Sequence, residues 1–367
     1  MTWLITGGCG FVGTNLAAVL IRRGCRVVVF DNLSRLGSHR NLQWLTSQDD
    51  SRQRFSFVRG EISDPAAVDA AVASVRQELE CVAHLAGQVA MTTSISNPRL
   101  DFSTNALGMV NVLEAVRRHA SGSTILYSST NKVYGDLRDV RTEEGHSRYV
   151  LPAYPAGLPE SLPLEFSGPY GCSKGAADQY ALDWHRTYGL NTVVFRHSSI
   201  YGSRQFSTYD QGWVGWFCAQ ALAQKAALTV GREPEPFTIS GDGKQVRDLL
   251  FADDLAELYI TAHQKVSAVC GQAFNIGGGP ENCLSILELL AHLEDELSIK
   301  TQYQMIPWRA HDQKVFVADI TKVQARLGWR PKVNPGVGIR KMLEWRAAMD
   351  VHLGADQSAV VRESARS

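Results

Sequence analysis

The sequence predicts an α/β protein built on a doubly wound parallel sheet, with a smaller C-terminal domain beside it. Two observations predict this fold class. Short β-branched runs alternate with segments of helical periodicity, as in successive βαβ units. The chain also has 367 residues, more than one hydrophobic core usually holds, which favours one large domain with a satellite.

Seven short apolar runs predict the strands of the sheet. Because crossovers between parallel strands are right-handed, their alternation with helices leads to a Rossmann-like domain, whose ligands bind at the carboxyl ends of the strands. We expect the strands at residues 3–6, 26–30, 55–58, 81–85, 124–128, 191–196 and 274–277.

The periodic pattern changes at two places, which suggests the domain limits. Prolines and glycines interrupt residues 136–169, which we interpret as a long surface excursion. After residue 201 the alternation weakens, and helices are expected at 213–222 and 285–297. The resulting assignment is a Rossmann domain at 1–197 with a return segment at about 247–277, a substrate-binding domain at 198–246 and 278–345, and a polar tail at 346–367.

Charge and cysteine usage narrow the possible partners. Formal net charge is zero and neither sign collects in long runs, so we expect a small-molecule partner and no nucleic acid. The seven cysteines are scattered without a Cys-x-x-Cys pair, and no His-x-x-x-His set occurs, so we expect reduced thiols and no metal site. The first apolar strand begins at Trp3, and no apolar run reaches the ~20 residues of a membrane span. We therefore expect a cytoplasmic protein that binds no membrane.

A glycine-rich turn predicts a dinucleotide site. Gly7-Gly8-Cys9-Gly10-Phe11-Val12-Gly13 follows the first strand and opens a helix, where the backbone can approach a pyrophosphate and the helix supplies free N–H groups. Asp31 closes the second strand about 20 residues on, where a carboxylate accepts ribose hydroxyls and repels a 2′-phosphate. NAD is therefore expected over NADP, although Arg35 leaves NADP open. The alternative is an ordinary strand-to-helix turn with Asp31 as a solvated cap.

The predicted catalytic residues are a tyrosine, a lysine and a threonine. Tyr170 and Lys174 open a helical stretch four residues apart, so both lie on one face of that helix. As a base near neutral pH, Tyr170 needs its pKa lowered by roughly three units, about 4 kcal/mol, which we expect from Lys174 and a cationic nicotinamide. Thr130, at the end of the run that begins at Ser128, would hold a sugar oxygen. A helix cap for the hydroxyl run and a solvated Lys174 are the structural alternatives.

Hydride transfer is the chemistry that suits this set of residues. Most C–H bonds of a pyranose are not acidic, so simple deprotonation cannot invert a carbon. Transient oxidation by NAD to a ketone, followed by reduction on the opposite face, can do so. Because the net redox change is zero, the cofactor can stay bound through turnover.

Several short motifs accompany the glycine-rich turn and the Tyr/Lys pair. They are Gly60-Glu61-Ile62-Ser63-Asp64, His84-Leu85-Ala86-Gly87, Asn105, Val133-Tyr134-Gly135, Gly241 through Asp248, Arg309 with Asp312, and Leu327-Gly328-Trp329-Arg330-Pro331. Together they resemble the extended short-chain dehydrogenase/reductase family over residues 1 to about 345. The later motifs resemble the sugar-nucleotide epimerase branch of that family.

This resemblance implies which residues form the site. Thr130, Tyr170 and Lys174 would be catalytic, NAD the cofactor and a CDP-sugar the substrate. The implied cofactor-binding residues are Gly7, Gly10, Phe11, Val12, Gly13, Asp31, Asn32, Ser34, Arg35, Glu61, Ile62, Leu85, Ala86, Gly87, Gln88, Asn105, Ser128, Tyr170, Lys174 and His197. The implied substrate-binding residues are Met91, Thr130, Asn131, Ser199, Gln205, Arg247 and Arg309, with the two arginines on the diphosphate. Subunits of this family commonly pair through the helices that flank the tyrosine, so a homodimer or homotetramer is implied.

The chain departs from relatives at two places. Sugar-nucleotide 4,6-dehydratases carry an Asp-Glu pair where this chain has Asn131-Lys132, which argues against a dehydratase. Ser199 stands where many relatives have Asn.

Two further features have a functional and a structural interpretation. The aromatic segment Trp213, Trp216 and Phe217 either forms the floor of a sugar pocket or packs in the core. Arg247 either binds phosphate or pairs with Asp248 or Asp254 at the surface.

For the reaction itself, the resemblance implies inversion at C2 of a CDP-sugar that supplies lipopolysaccharide O-antigen. The residues alone leave other functions open. An epimerase acting at C4 of a UDP-hexose, or at C2 of CDP-glucose, would use the same catalytic residues. A non-catalytic NAD-binding sensor and a net oxidoreductase that exchanges its cofactor also fit the fold.

Overall fold

The computed structural model describes residues 1–49, 53–309 and 312–364. The strands are Thr2–Thr6 (β1), Arg26–Asp31 (β2), Phe55–Arg59 (β3), Leu79–His84 (β4), Thr124–Thr130 (β5), Glu143–Glu144 (β6), Tyr149–Val150 (β7), Asn191–His197 (β8), Ser199–Tyr201 (β9), Phe237–Ser240 (β10), Val246–Phe251 (β11), Gln272–Ile276 (β12), Cys283–Ser285 (β13), Tyr303–Ile306 (β14) and Val315–Phe316 (β15). The α-helices are Phe11–Arg22 (α1), Ser38–Ser47 (α2), Pro65–Val75 (α3), Met91–Ser96 (α4), Pro98–Phe102 (α5), Gly108–His119 (α6), Gly168–Tyr188 (α7), Trp213–Thr229 (α8), Ala252–Gln264 (α9), Val266–Val269 (α10), Ile286–Leu297 (α11), Thr321–Leu327 (α12) and Pro335–Ser364 (α13). A π-helical turn lies at Ser103–Leu107, and 3₁₀ turns lie at Asn131–Tyr134 and Pro280–Asn282.

The main sheet confirms the predicted α/β architecture. Its seven strands are parallel in the order β12-β8-β5-β4-β1-β2-β3, and all seven predicted strands belong to it. Val27 and Val29 pack into one hydrophobic core, while Val28 and Phe30 pack into another on the opposite face. The strand is apolar without alternation because helices cover both faces of the sheet. Strand order reverses between β1 and β4, and this switch point opens a crevice at the carboxyl ends of the strands.

A second group of elements forms its own core beside the main sheet. Strand β11 pairs with β9, β13 and β15, and β10 pairs with β14. The two helices expected outside the main sheet are confirmed as α8 and α11. They pack with α13 around a third hydrophobic core. In the described ranges, no helix is both long and apolar enough to cross a bilayer.

Three details differ from the sequence-based expectations. The return to the main sheet begins with α9 rather than at residue 247, because Val246–Phe251 pairs with the smaller strands. The excursion at 136–169 is not confined to the surface: the Leu158 side chain is fully buried, and its backbone N–H donates to the Val317 carbonyl. The expected tail is helical up to Ser364, since it continues α13 with residues that favour helices. The domain limits themselves stay a prediction.

A buried ion pair attaches α7 to the main sheet. Asp178 on α7 accepts hydrogen bonds from Arg196 Nε and Nη2 on β8, each at 2.9 Å. The same carboxylate accepts a hydrogen bond from Ser129 Oγ on β5 at 2.8 Å. Asp178 and Arg196 have side-chain exposures of 0% and 5%, so neither charge has water as an alternative partner.

Removing the Asp178 carboxylate should strongly destabilise the protein. Asp178→Ala leaves the Arg196 charge buried without its partner, which should lower the free energy of unfolding by about 3–5 kcal/mol. Asp183→Ala is the matched control, because Asp183 lies on the same helix but its bridge to Arg186 is exposed. That control should cost under about 1 kcal/mol. Urea unfolding of both variants measures the difference, and equal losses would contradict the role of the buried pair.

Candidate active site

A cleft of about 580 Å³ opens at the carboxyl ends of the main-sheet strands. Most of the predicted site residues line it. The predicted residues along its wall are Gly7, Gly10, Phe11, Val12, Gly13, Asp31, Asn32, Ser34, Arg35, Glu61, Ile62, Leu85, Ala86, Gly87, Gln88, Ser128, Thr130, Tyr170, His197, Ser199 and Gln205. Their individual roles stay predictions.

Six predicted residues lie outside the wall of this cleft. They are Met91, Asn105, Asn131, Lys174, Arg247 and Arg309. Met91 begins helix α4 and is partly exposed. The other five are held by hydrogen bonds to neighbouring protein groups, as described below.

Close backbone packing explains the glycines of the turn after β1. Gly7 has φ +69°, and a Cβ placed on it would lie 2.6 Å from the Ala86 nitrogen. A Cβ on Gly13 would lie 2.5 Å from the Gly7 oxygen. The turn therefore brings bare backbone to the rim of the cleft, where α1 begins at Phe11 with no acidic residue in its first turn. Free N–H groups and the positive end of a helix favour an anion at this place.

Asp31 ends β2 with its carboxylate fixed in the cleft wall. Its Oδ2 accepts a hydrogen bond from the Cys9 N–H at 3.0 Å, and its Oδ1 accepts one from the Leu33 N–H at 2.7 Å. Burial raises the pKa of Asp31, while these two N–H groups oppose the rise. Each oxygen keeps a further lone pair, so the carboxylate can still accept hydroxyl donors. Arg35 lines the same cleft, and burial lowers the pKa of its guanidinium.

The Thr130 hydroxyl and the Tyr170 phenol meet in the cleft. Thr130 is the last residue of β5 and Tyr170 lies in the first turn of α7, so the sheet and the helix bring their side chains together. Burial raises the pKa of Tyr170 to about 12, and the hydrogen bond with Thr130 opposes this rise. In the protein alone burial outweighs the other contributions, and the lowering expected from Lys174 together with a cationic nicotinamide stays a prediction.

Lys174 lies behind the cleft wall rather than in it. Its Nζ donates a hydrogen bond to the Ser128 carbonyl and lies 4.5 Å from the centre of the Tyr127 ring. Burial lowers the pKa of Lys174 to about 7, although Asp178 and Asp101 oppose the shift. The ammonium is therefore protonated below about pH 7 and loses its charge above it.

Asn105 fixes the loop that follows β4. Its Oδ1 accepts a hydrogen bond from the Gln88 N–H at 2.9 Å, and its Nδ2 donates to the Gln88 carbonyl at 3.0 Å. The same amide donates to Ser173 Oγ on α7 at 3.0 Å. Asn105 therefore holds the Gly87–Gln88 wall of the cleft against the helix of Tyr170.

The aromatic segment divides between the cleft and the core. Trp213 lines the cleft, and its Nε1 donates a hydrogen bond to Ser199 Oγ at 3.0 Å. Phe217 is buried against Phe237, and Trp216 packs edge-on against Tyr209. Only Trp213 of the three therefore lines this cleft.

The two predicted phosphate-binding arginines lie in the second group of elements, Arg247 on β11 and Arg309 just after β14. Arg247 Nη2 donates to Asp312 Oδ1 at 2.8 Å, so the alternative pairing with Asp248 or Asp254 is wrong. Both of those carboxylates instead accept backbone N–H groups. Arg309 donates to Ser240 Oγ at 3.2 Å and to the Tyr209 carbonyl at 3.0 Å.

The loop after β9 contributes residues that sequence reasoning missed. Arg204, Phe206 and Ser207 line the cleft together with the predicted Gln205. The Arg204 guanidinium lies 3.9 Å from the centre of the Trp44 ring. No spacing or motif marks this loop, because its contacts with α2 join residues far apart in the chain.

Comparison with known proteins places this geometry in a family. Residues 4–342 match the model of the family described as GDP-mannose 4,6 dehydratase. The chain belongs to this family. Membership agrees with the predicted resemblance to extended short-chain dehydrogenases/reductases.

Known proteins and solved structures that are similar to this chain cover nearly its whole length. CDP-paratose 2-epimerase from Salmonella typhi is 52% identical over 349 residues, which cover 95% of this chain and 100% of that relative. The structure of Thermotoga maritima UDP-glucose 4-epimerase with UDP-glucose has a TM-score of 0.78 and 27% identity, covering 95% of this chain and 99% of that one. The UDP-glucose 4-epimerase of Thermus thermophilus in complex with NAD has a TM-score of 0.74 and 27% identity, covering 95% and 100%.

Proposed function

We propose that this protein is a CDP-paratose 2-epimerase, an isomerase that inverts C2 of a CDP-linked sugar by NAD-dependent oxidation and re-reduction. The observation that carries the proposal is the 52% identity to the Salmonella typhi enzyme of that name, over 100% of its length. Thr130 at the carboxyl end of β5 and Tyr170 in the first turn of α7 line the same cleft and supply the groups that such a reaction needs. The product, CDP-tyvelose, would serve lipopolysaccharide O-antigen synthesis.

Tyr170 and Thr130 are the residues that act on the sugar hydroxyl. Thr130 holds the C2 oxygen, while Tyr170 accepts the hydroxyl proton during oxidation and returns it during reduction. NAD held in this cleft would supply a hydride acceptor and a positive ring charge, with no net redox change over the reaction. Inversion requires that the keto sugar present its opposite face before it is reduced.

The phenolate of Tyr170 needs positive charge around it. Burial holds the pKa of this phenol at about 12 in the protein alone. Lys174 lies one turn further along α7 and has a pKa of about 7, so its charge favours the phenolate only while the ammonium is protonated. The cationic ring of the cofactor is the second source of charge.

The cleft fits a dinucleotide. The close packing at Gly7 and Gly13 leaves backbone N–H groups at the start of α1 for the pyrophosphate. The fixed Asp31 carboxylate suits two ribose hydroxyls and repels a 2′-phosphate, which supports NAD over NADP. Arg247 and Arg309 are the residues that we propose for the substrate diphosphate, because a guanidinium binds phosphate oxygens in a bidentate manner.

Dehydration is the activity that the site does not support. Asn131 and Lys132 follow Thr130, so an amide and an ammonium stand where 4,6-dehydratases carry a carboxylate pair. The buried Asn131 amide cannot exchange a proton as a carboxyl can. The pair therefore supports epimerisation over elimination of water.

We further propose a homodimer in the cytoplasm. Exposed apolar side chains collect along the α5–α7 surface, at Leu100, Phe102, Leu107, Tyr180 and Tyr188. A second copy would remove this face from water, which favours pairing through the helix that carries Tyr170. All seven cysteines lie within the described residues and are free thiols, as a reducing compartment favours.

Tyr170→Phe should abolish most of the activity and leave cofactor binding intact. Without the phenol hydroxyl, no group takes the proton of the C2 hydroxyl, and turnover should fall by about 10²–10⁴-fold. NAD content after purification, measured by absorbance of the heat-released cofactor, should equal that of the wild type. Wild-type turnover in this variant would exclude Tyr170 as the proton acceptor.

Three nucleotide sugars offered separately test the reaction itself. CDP-paratose should show a changed proton coupling at C2 by NMR. CDP-glucose and UDP-glucose should react at least about tenfold more slowly, because the loss of one substrate contact has an effect of that order on the rate. Inversion of UDP-glucose at C4 would instead favour the UDP-hexose epimerase. No inversion of any of the three would contradict the proposed function.

A further inference from the structure

Two consecutive residues after Thr130 contact two consecutive residues of the C-terminal segment. Asn131 Nδ2 donates a hydrogen bond to Gln313 Oε1 at 3.0 Å. Lys132 Nζ lies 3.7 Å from Asp312 Oδ1, and the two side chains are only 15% and 24% exposed. The Asn131 amide therefore contacts the Gln313 amide, and the Lys132 ammonium contacts the Asp312 carboxylate.

Gln313 is held on both of its amide atoms. Its side chain is completely buried, and its Nε2 donates a hydrogen bond to the Gly135 carbonyl at 2.6 Å while its Oε1 accepts from Asn131. Gly135 has φ +64°, and it ends the 3₁₀ turn that Asn131 begins. One buried glutamine therefore spans both ends of the turn that follows the catalytic threonine.

This turn also sets the direction of the Thr130 hydroxyl. Thr130 Oγ1 donates to Asn131 Oδ1 at 3.3 Å and accepts from the Lys132 N–H at 3.3 Å. Tyr170, whose pKa the Thr130 side chain lowers, lines the same cleft as this hydroxyl. Because Asn131 takes its own orientation from Gln313, the side chain of Gln313 acts on Thr130 through one intermediate.

The neighbouring pair reaches the proposed diphosphate site. Asp312 Oδ1 accepts a hydrogen bond from Arg247 Nη2 at 2.8 Å and is the same oxygen that faces Lys132. Arg247 is 12% exposed, so its guanidinium is largely fixed by this carboxylate. Asp312 thus contacts both Arg247 and the catalytic turn, and the adjacent Gln313 holds the same turn.

We infer that Asn131, Lys132, Asp312 and Gln313 form a positioning latch that fixes the Thr130 hydroxyl and the Arg247 guanidinium relative to each other. None of the four is a catalytic residue. The inference deepens the proposed function and rests on it for the names of the two ligand groups, a sugar hydroxyl and a diphosphate. In this chain the two positions after Thr130 hold the C-terminal segment in place of an acid/base pair.

The two halves of the latch should affect different kinetic constants. Gln313→Leu removes the partner of Asn131, so kcat should fall about tenfold or more, since small displacements of catalytic groups are costly. Asp312→Asn frees Arg247 from its carboxylate, so KM for the CDP-sugar should change by more than threefold while kcat changes less. Gln224→Leu is the control, because Gln224 on α8 is also buried, lies outside the cleft wall, and donates hydrogen bonds to the Glu235 and Gln302 carbonyls. It should leave both constants of the folded protein unchanged.

Gln313→Glu tests the positioning role through the pH dependence of kcat, which a purely structural role of Gln313 would leave unchanged. A protonated carboxyl can donate to the Gly135 carbonyl and accept from Asn131, whereas an ionised carboxylate can only accept. The kcat of this variant should therefore fall as pH rises from 6 to 9, on top of the wild-type profile, by about tenfold. This variant also serves if Gln313→Leu does not fold.

These experiments test the latch independently of the proposed substrate. All rates are taken relative to the wild type with whichever nucleotide sugar the wild type inverts, so a different substrate changes the proposed function and leaves the latch testable. A kcat within twofold of the wild type in Gln313→Leu, or a Gln313→Glu pH profile parallel to that of the wild type, would overturn it. Equal losses in Gln313→Leu and Gln224→Leu would also overturn it, since they would indicate a general packing effect.

Discussion

The carboxylate of Asp178 is the group on which the geometry of the site depends. It is completely buried and joins α7 to β8 through Arg196 and to β5 through Ser129. Tyr170 lies on α7 and Thr130 directly follows Ser129, so the same carboxylate that anchors the helix also fixes the two hydroxyls relative to each other. A buried charge of this kind is tolerated only with all its partners in place, and this requirement gives the helix a single position.

Burial around that anchor makes the site sensitive to added charge. The pKa of His84 and that of His197 are each lowered to about 3, chiefly by burial and then by Lys174, so both rings are neutral near pH 7. Burial also raises the pKa of Tyr170 and lowers that of Lys174. In such surroundings the field of a bound cation is weakly screened. Without ligands, the Tyr170 phenol thus stays protonated. Its ionisation depends on the ligands that bind in the cleft.

Sequence reasoning predicted those parts of the molecule that local patterns determine. All seven strands of the main sheet follow from β-branched runs, and the glycine turn with Asp31 follows from the spacing of a βαβ unit. It failed where contacts join distant segments. The partner of Arg247 is Asp312, 65 residues away, and Leu158 is buried because its loop packs against Val317. The position of Lys174 behind the cleft wall depends on the Ser128 carbonyl, which has no signature in sequence.

The fate of the hydrogen on C2 tests whether a hydride leaves that carbon and returns to it while Tyr170 and Thr130 hold the oxygen. CDP-paratose carrying deuterium at C2 is converted by the enzyme in ordinary water, and the product is analysed by NMR and mass spectrometry. The label should stay at C2 of the inverted sugar. Replacement of the deuterium by solvent hydrogen would contradict it, because that result requires proton abstraction from carbon.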